Sequence, residues 1–221
     1  MVYANNGMFE YIGLRARMKQ MISVSYEILC NKIAKGSLII ENEASLQMQF
    51  GVLLSQIGNL YVFSKEELFS VELEANKEIE ATAKSVNGRA RCDIYLTISN
   101  SHSSVSAAIE IKCFITKDNK PSKPTTANRF SVLMDIKNLE GYREKDETLL
   151  CYECVYTYKG NYHNPNSKSD IKLVGTLPQR STFRKEPIEI KFGYIADWAN
   201  YDNHHFLMVD LDNNVNHKMI F

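Results

Sequence analysis

The sequence predicts a mixed α/β domain. A helix, three strands, a helix and a fourth strand follow one another over residues 41–158, with a helical segment, residues 1–40, before them and a β-rich extension, residues 159–221, after. Three observations lead to this reading. Apolar residues recur at spacings of three and four over residues 7–35, 42–57 and 129–142, the period of a helix face. Two β-branched runs, Ile94-Tyr95-Leu96-Thr97-Ile98 and Ala107-Ala108-Ile109-Glu110-Ile111, flank a polar stretch at 99–104, as in a β-hairpin. A further apolar run, residues 149–158, returns as a strand after the third helical stretch.

Composition sets bounds on function. The chain has 221 residues, 44% hydrophobic and 24% charged, which fits one ordinary globular domain with a core. No apolar run approaches the roughly 18 residues of a membrane span. Residues 1–13 lack the basic start and apolar middle of a signal peptide, so the expected compartment is the cytoplasm. The five cysteines are odd in number and show no disulfide spacing. Cys151 and Cys154 alone stand at metal-ligand spacing, but in an apolar strand-like run they read as small buried hydrophobes. Zero net charge argues against a generic polyanion binder.

In chain order, the first helix carries Met8, Tyr11, Ile12, Met18, Met21, Ile22, Ile28 and Leu29, and Gly36 stops it. The second is capped by Asn42, carries Leu46, Phe50, Leu53, Leu54 and Ile57 as its stripe, and ends at Gly58. Residues 61–63 and 69–73 read as strands, and the acidic stretch 74–84 as an edge or a surface loop. The hairpin follows, then a polar loop at 116–128 containing Lys-Pro-Ser-Lys-Pro. The helix at 129–142 presents Phe130, Leu133, Met134, Leu139 and Tyr142, and the strand at 149–158 closes the core. Beyond a turn cluster at 160–167, residues 171–174, 188–195 and 206–211 read as strands.

The hairpin holds charges where strands should be apolar. Alternation puts Glu110 and Lys112 on one face, and the simplest register brings Asp93 beside them. Two carboxylates and an ammonium then converge at the end of an apolar hairpin. Carboxylates are ligands for hard cations such as Mg2+, and a bound magnesium can hold a phosphate and activate a water against it. The lysine can steer that water or neutralise developing charge.

Asp93 followed by Glu110-Ile111-Lys112 resembles the PD-(D/E)xK motif of the restriction-endonuclease-like nucleases, with Cys92 where the family has proline. The order of elements over residues 41–158 is similar to that family's αβββαβ core. The resemblance implies an Mg2+-dependent endonuclease, with Mn2+ able to substitute, acting on DNA in preference to RNA. It implies that Asp93 and Glu110 bind the metal together with the carbonyl of Ile111. Lys112 would orient or help deprotonate the attacking water, in-line attack would leave a 5′-phosphate, and the protein would be a homodimer. In the family a helix ahead of the core strands often adds a glutamate to the metal site, and Glu43 is the best-placed candidate. The helix dipole accounts for an acidic first-turn residue equally well, so Glu43 carries both readings.

Candidate phosphate contacts are Arg89 and Arg91, leading into the Asp93 strand, and Lys117, Lys120, Lys123 and Arg129 downstream. Solvated loop charges explain the downstream set equally well, and Arg180, Arg184 and Lys185 form a later cluster. Asp170 with Glu189-Ile190-Lys191 is a rival copy of the motif. The first copy is preferred because the second follows a polar approach, no helix of useful length comes after it, and Asp170 follows a loop. His204 and His205, adjacent on the chain, would point to opposite faces of a strand and read as a surface loop. The reading from another class is a non-catalytic module binding nucleic acid or protein, its charges serving as structural ion pairs. The cost of burying three charges without a ligand or partners argues against it.

Overall fold

A computed structural model of the chain describes residues 2–3, 9–10, 13–78, 89–115, 125–167, 169 and 171–214. Two short strands come first, β1 (Val2–Tyr3) and β2 (Phe9–Glu10), paired antiparallel. Pairing takes residues 9–10 out of the expected first helix, and α1 (Leu14–Ala34) begins after Gly13. Its core stripe is Leu14, Met18, Met21, Ile22, Leu29 and Ile33. Gly36 follows its end at φ +70°, the left-handed conformation that glycine adopts without strain.

Asn42 caps α2 (Glu43–Leu60) as expected, accepting from the Ser45 amide at 2.8 Å in a reciprocal capping box. Gly58 does not end this helix. An added Cβ there would stand 2.1 Å from the Phe69 ring, so the glycine lets a strand side chain press against the helix. Residues 61–63 form no strand: Tyr61 ends α2, and the Arg17 guanidinium lies 4.5 Å from the Phe63 ring while also bonding the Tyr61 carbonyl.

The main sheet is built from β3 (Leu68–Glu78), β4 (Arg89–Ser99), β5 (Ser104–Phe114), β6 (Leu150–Tyr158), β11 (Trp198–Tyr201) and β12 (His204–Asp210). Its order is β11-β12-β6-β5-β4-β3, antiparallel throughout except for the β5–β6 pair. The expected hairpin is present as β4–β5, and residues 74–78 belong to the sheet's edge strand. Parallel neighbours require a crossover, which α3 (Thr126–Lys145) supplies, capped by Thr125. Between β6 and β11 lie β7 (Gly175–Thr176), β8 (Arg180–Phe183), β9 (Glu186–Glu189) and β10 (Ile195–Ala196). Residues 171–174 form no strand, and 188–195 is split between β9 and β10.

Two apolar layers hold the sheet. On one face Met21, Ile22, Phe50 and Leu54 pack on Ile94, Leu96, Ile109 and Ile111. On the other Val132, Leu133, Ile136 and Leu139 pack with Cys92, Ala108, Val155 and Leu207. Each of the Val, Leu, Ile, Phe and Met side chains among them, fully buried, contributes about 1.5–3 kcal/mol. No described helix is long and apolar enough to cross a membrane.

One irregularity in the layers positions the site. Alternation should put Cys92 on the same face as Ile94, yet Cys92 joins the α3 layer and Ile94 the α1–α2 layer. On β3, Ala75 likewise lies in the α3 layer, whereas Phe69 and Val71 pack with the other. Both strands therefore switch faces between these positions, at Glu74 and Asp93. Glu74 takes φ +55°, and the ladder runs from Leu73↔Ile94 to Ala75↔Cys92 without pairing the two residues between. Beyond the switch the β3–β4 ribbon leaves β5, whose pairing with β4 stops at Ile94↔Ile109.

Candidate active site

The parting of β4 from β5 frees main-chain groups on the second half of β5. On a strand, the N–H and C=O of one residue point to the same edge, so those of Ile111 face the gap. Side chains replace the missing strand. Asp93 Oδ2 accepts from the Ile111 amide at 2.7 Å, and Glu43 Oε2 accepts from the Cys113 amide at 3.4 Å. Lys112 Nζ donates to the Ile111 carbonyl at 3.0 Å. A carbonyl oxygen has two lone pairs, so the Ile111 oxygen can take a second partner.

Glu110 and Lys112 project together toward α3. Glu110 is 2% exposed and accepts from the Tyr142 hydroxyl at 3.3 Å. Lys112 forms an ion pair with Asp135 Oδ2 on α3 at 2.7 Å and with Glu43 Oε1 at 3.4 Å. Glu153 on β6 is the ladder partner of Glu110 and is fully buried. Burial alone would lower the Lys112 pKa, but Glu153, Glu43, Asp93 and Glu110 together raise it, so the side chain is an ammonium. The same acidic surroundings, after burial itself, push the Cys92 thiol up and make it inert.

Five carboxylates, those of Glu43, Asp93, Glu110, Asp135 and Glu153, thus act on one ammonium. Such a negative excess in a part-buried site favours a cation or a proton. Gln47 of α2 braces the rim, donating to the Asp93 carbonyl at 2.6 Å and to Glu74 Oε1 at 3.1 Å. Among the described residues no three His, Cys, Asp or Glu side chains form a ready metal cage. Magnesium takes one or two carboxylates and keeps several waters, and the oxygen set of Asp93, Glu110 and the Ile111 carbonyl, with Glu43 beside it, fits that habit.

The structure therefore brings together Asp93, Glu110, Ile111, Lys112 and Glu43. Other expected contacts fall elsewhere. Arg91 is exposed and faces Glu74 Oε2 at 3.3 Å, and Arg89 opens β4 with its side chain outside the described residues. Lys117, Lys120 and Lys123 also lie outside them. Arg129 is a correction: it is 1% exposed and donates to the carbonyls of Tyr162 and Ile171, which leaves it no surface from which to meet a phosphate. In the rival motif Glu189 pairs with Arg180 at 3.0 Å and Lys191 with Glu144 at 2.6 Å, and Asp170 lies outside the described residues.

Cys151 and Cys154 are buried in opposite layers. His204 and His205 sit on β12 rather than in a loop, His204 bonding the Tyr156 hydroxyl and His205 the Asn200 side chain. The sequence reading passed over Asp135, Glu153 and Gln47. A signal existed for two of them, since Glu153 stands mid-run in an apolar strand and Asp135 lies one residue before Ile136 on the α3 stripe.

The fold and this gap define a mixed α+β domain with an oxygen-lined split at a sheet discontinuity. Comparison with family models, curated proteins and solved structures finds no match to the chain.

Proposed function

We propose that the chain is a metal-dependent endonuclease that hydrolyses DNA phosphodiester bonds, built on a restriction-endonuclease-like core spanning α2 to β6. One observation carries the reading: the β4–β5 ladder ends at Ile94↔Ile109, the motif residues Asp93 and Lys112 bond the Ile111 main chain left in the opening, and Glu110 lies beside Lys112 on the α3 face. The sequence of α2, β3, β4, β5, α3 and β6 supports it, with the aspartate on the second of three strands and the glutamate and lysine on the third.

Asp93, Glu110 and the Ile111 carbonyl would hold Mg2+ or Mn2+, with Glu43 at its edge. When bound, the cation supplies Lewis-acid activation of a phosphoryl oxygen and of a water. The protein's own residues do the rest. Asp93 holds the Ile111 amide, which fixes the neighbouring carbonyl. Lys112, an ammonium anchored by Asp135, orients the attacking water and neutralises charge on the phosphorane-like transition state rather than serving as a base. Tyr142 fixes the Glu110 carboxyl from α3.

A second reading is favoured by the closed contacts of the site: Lys112 already has carboxylate partners, as the structural ion network of a non-catalytic binding module would. Incubation of plasmid and phage DNA with Mg2+ or Mn2+ separates the two. Cleavage by the wild type and none by Glu110→Ala is expected of the nuclease, whereas intact DNA in every condition supports the module.

A further inference from the structure

Beyond the split, the α1–α2 face of the sheet carries a run of aromatic rings that emerges from the core. Tyr156 and Phe206 face each other across β6 and β12, are 4% and 1% exposed, and stack at 5.0 Å. The next pair along, Tyr158 and His204, is half-buried, with ring centroids 5.0 Å apart. His204 pairs in turn with Tyr201 on β11, which is 37% exposed. A hydrogen bond of 2.9 Å between the Tyr156 hydroxyl and His204 Nδ1 accompanies an imidazole 10° from the plane of the Tyr156 ring.

A cation stands beside these rings. Lys159 follows β6 at φ +55°, held there by its amide's 2.6 Å bond to the Asn203 carbonyl. Its exposed ammonium lies 5.0 Å from the Tyr158 centroid. Strand β6 links these rings to the edge of the split. Tyr156 is the ladder partner of Cys113, whose amide Glu43 holds, and Tyr158 is two residues, about 7 Å, further along.

We propose that Tyr158, His204 and Tyr201 form a stacking platform for the unpaired bases of single-stranded DNA, with Lys159 receiving a backbone phosphate. Every base has a π-face, so aromatic rings on an open sheet grip single strands without reading sequence, whereas the stacked bases of a duplex are not available to them. The inference deepens the nuclease reading and rests on it for the chemistry, but not for the binding.

The test is fluorescence anisotropy in EDTA, where no cleavage occurs, with a labelled oligothymidylate of about 20 nucleotides and a blunt duplex of equal length. The wild type should bind the single strand about tenfold or more tightly than the duplex. Tyr158→Ala and Tyr201→Ala should each weaken that binding roughly tenfold, Tyr158→Trp should retain it, and Lys159→Gln should flatten its salt dependence. Circular dichroism reports folding, and if Tyr158→Ala unfolds, the more exposed Tyr201→Ala decides. Duplex bound as tightly as the single strand, or folded alanine variants that bind like the wild type, would overturn the platform even if the protein cuts DNA. Platform binding by a protein that cuts nothing would overturn the nuclease reading instead.

Discussion

Asp135 Oδ2 lies 2.7 Å from Lys112 Nζ, and neither side chain is more than 11% exposed. The pair ties the crossover helix α3 to the strand that carries the Glu-x-Lys sequence. It also supplies Lys112 with an acceptor that is independent of Glu43 and the Ile111 carbonyl, both of which belong to the proposed cation site.

Asp135→Asn keeps the shape of this contact and removes its charge. Lys112 keeps Glu43 and the Ile111 carbonyl as partners, so the loss is that of one buried charged hydrogen bond, about 1.5–3 kcal/mol by urea denaturation. The exposed pair Arg180–Glu189, at 81% and 63% exposure, should lose at most ~1 kcal/mol when Arg180 becomes alanine. Equal losses in the two variants would contradict the burial argument.

Gly58→Ala should lower the melting temperature, although alanine is the better helix former by about 1 kcal/mol. The new methyl would stand 2.1 Å from the Phe69 ring, and overpacking of this kind costs about 1–3 kcal/mol. Combining it with Phe69→Leu should recover part of the loss, which thermal melts of the single and double variants would reveal.

Asp212 sets a pH dependence. Burial alone would raise its pKa, but Lys19 and Arg15 at 2.7 Å and Arg143 at 3.2 Å hold it below the usual carboxylate value. Its contribution is therefore complete above the unfolded value of about 3.9 and is lost as pH falls through the lower folded one. Asp212→Asn should be less stable than wild type at neutral pH, with the gap closing below about pH 4. Urea midpoints across that range test the sign, and a gap that widens toward acid would refute it.

The parts of this architecture that were readable depend on local pattern. Asn42 announced its cap, the β4–β5 hairpin its turn, and the charges at Asp93, Glu110 and Lys112 stood out against apolar neighbours. The face switch was not readable. A left-handed φ at a glutamate leaves no compositional trace, and strict alternation carried past Glu74 and Asp93 would put Cys92 on the face of Ile94 rather than in the α3 layer. Local propensity also lost to tertiary contact at residues 61–63, where Arg17 and Glu67 organise the chain, the Glu67 carboxylate accepting from the Phe63 amide at 2.7 Å. Arg129 was misassigned by its type: a guanidinium invites a phosphate, but its place on the α3 stripe commits it to the core.

Isothermal titration of Mn2+ into wild type, Asp93→Asn and Glu110→Gln tests most directly whether the split is a cation site or only an ion network. Asparagine at 93 can still accept from the Ile111 amide, so the fold is spared while a ligand charge is lost. The nuclease account predicts saturable binding of about one or two ions per chain in wild type, weakened in both variants. No saturable binding by wild type, or binding unchanged in the two variants, would contradict it.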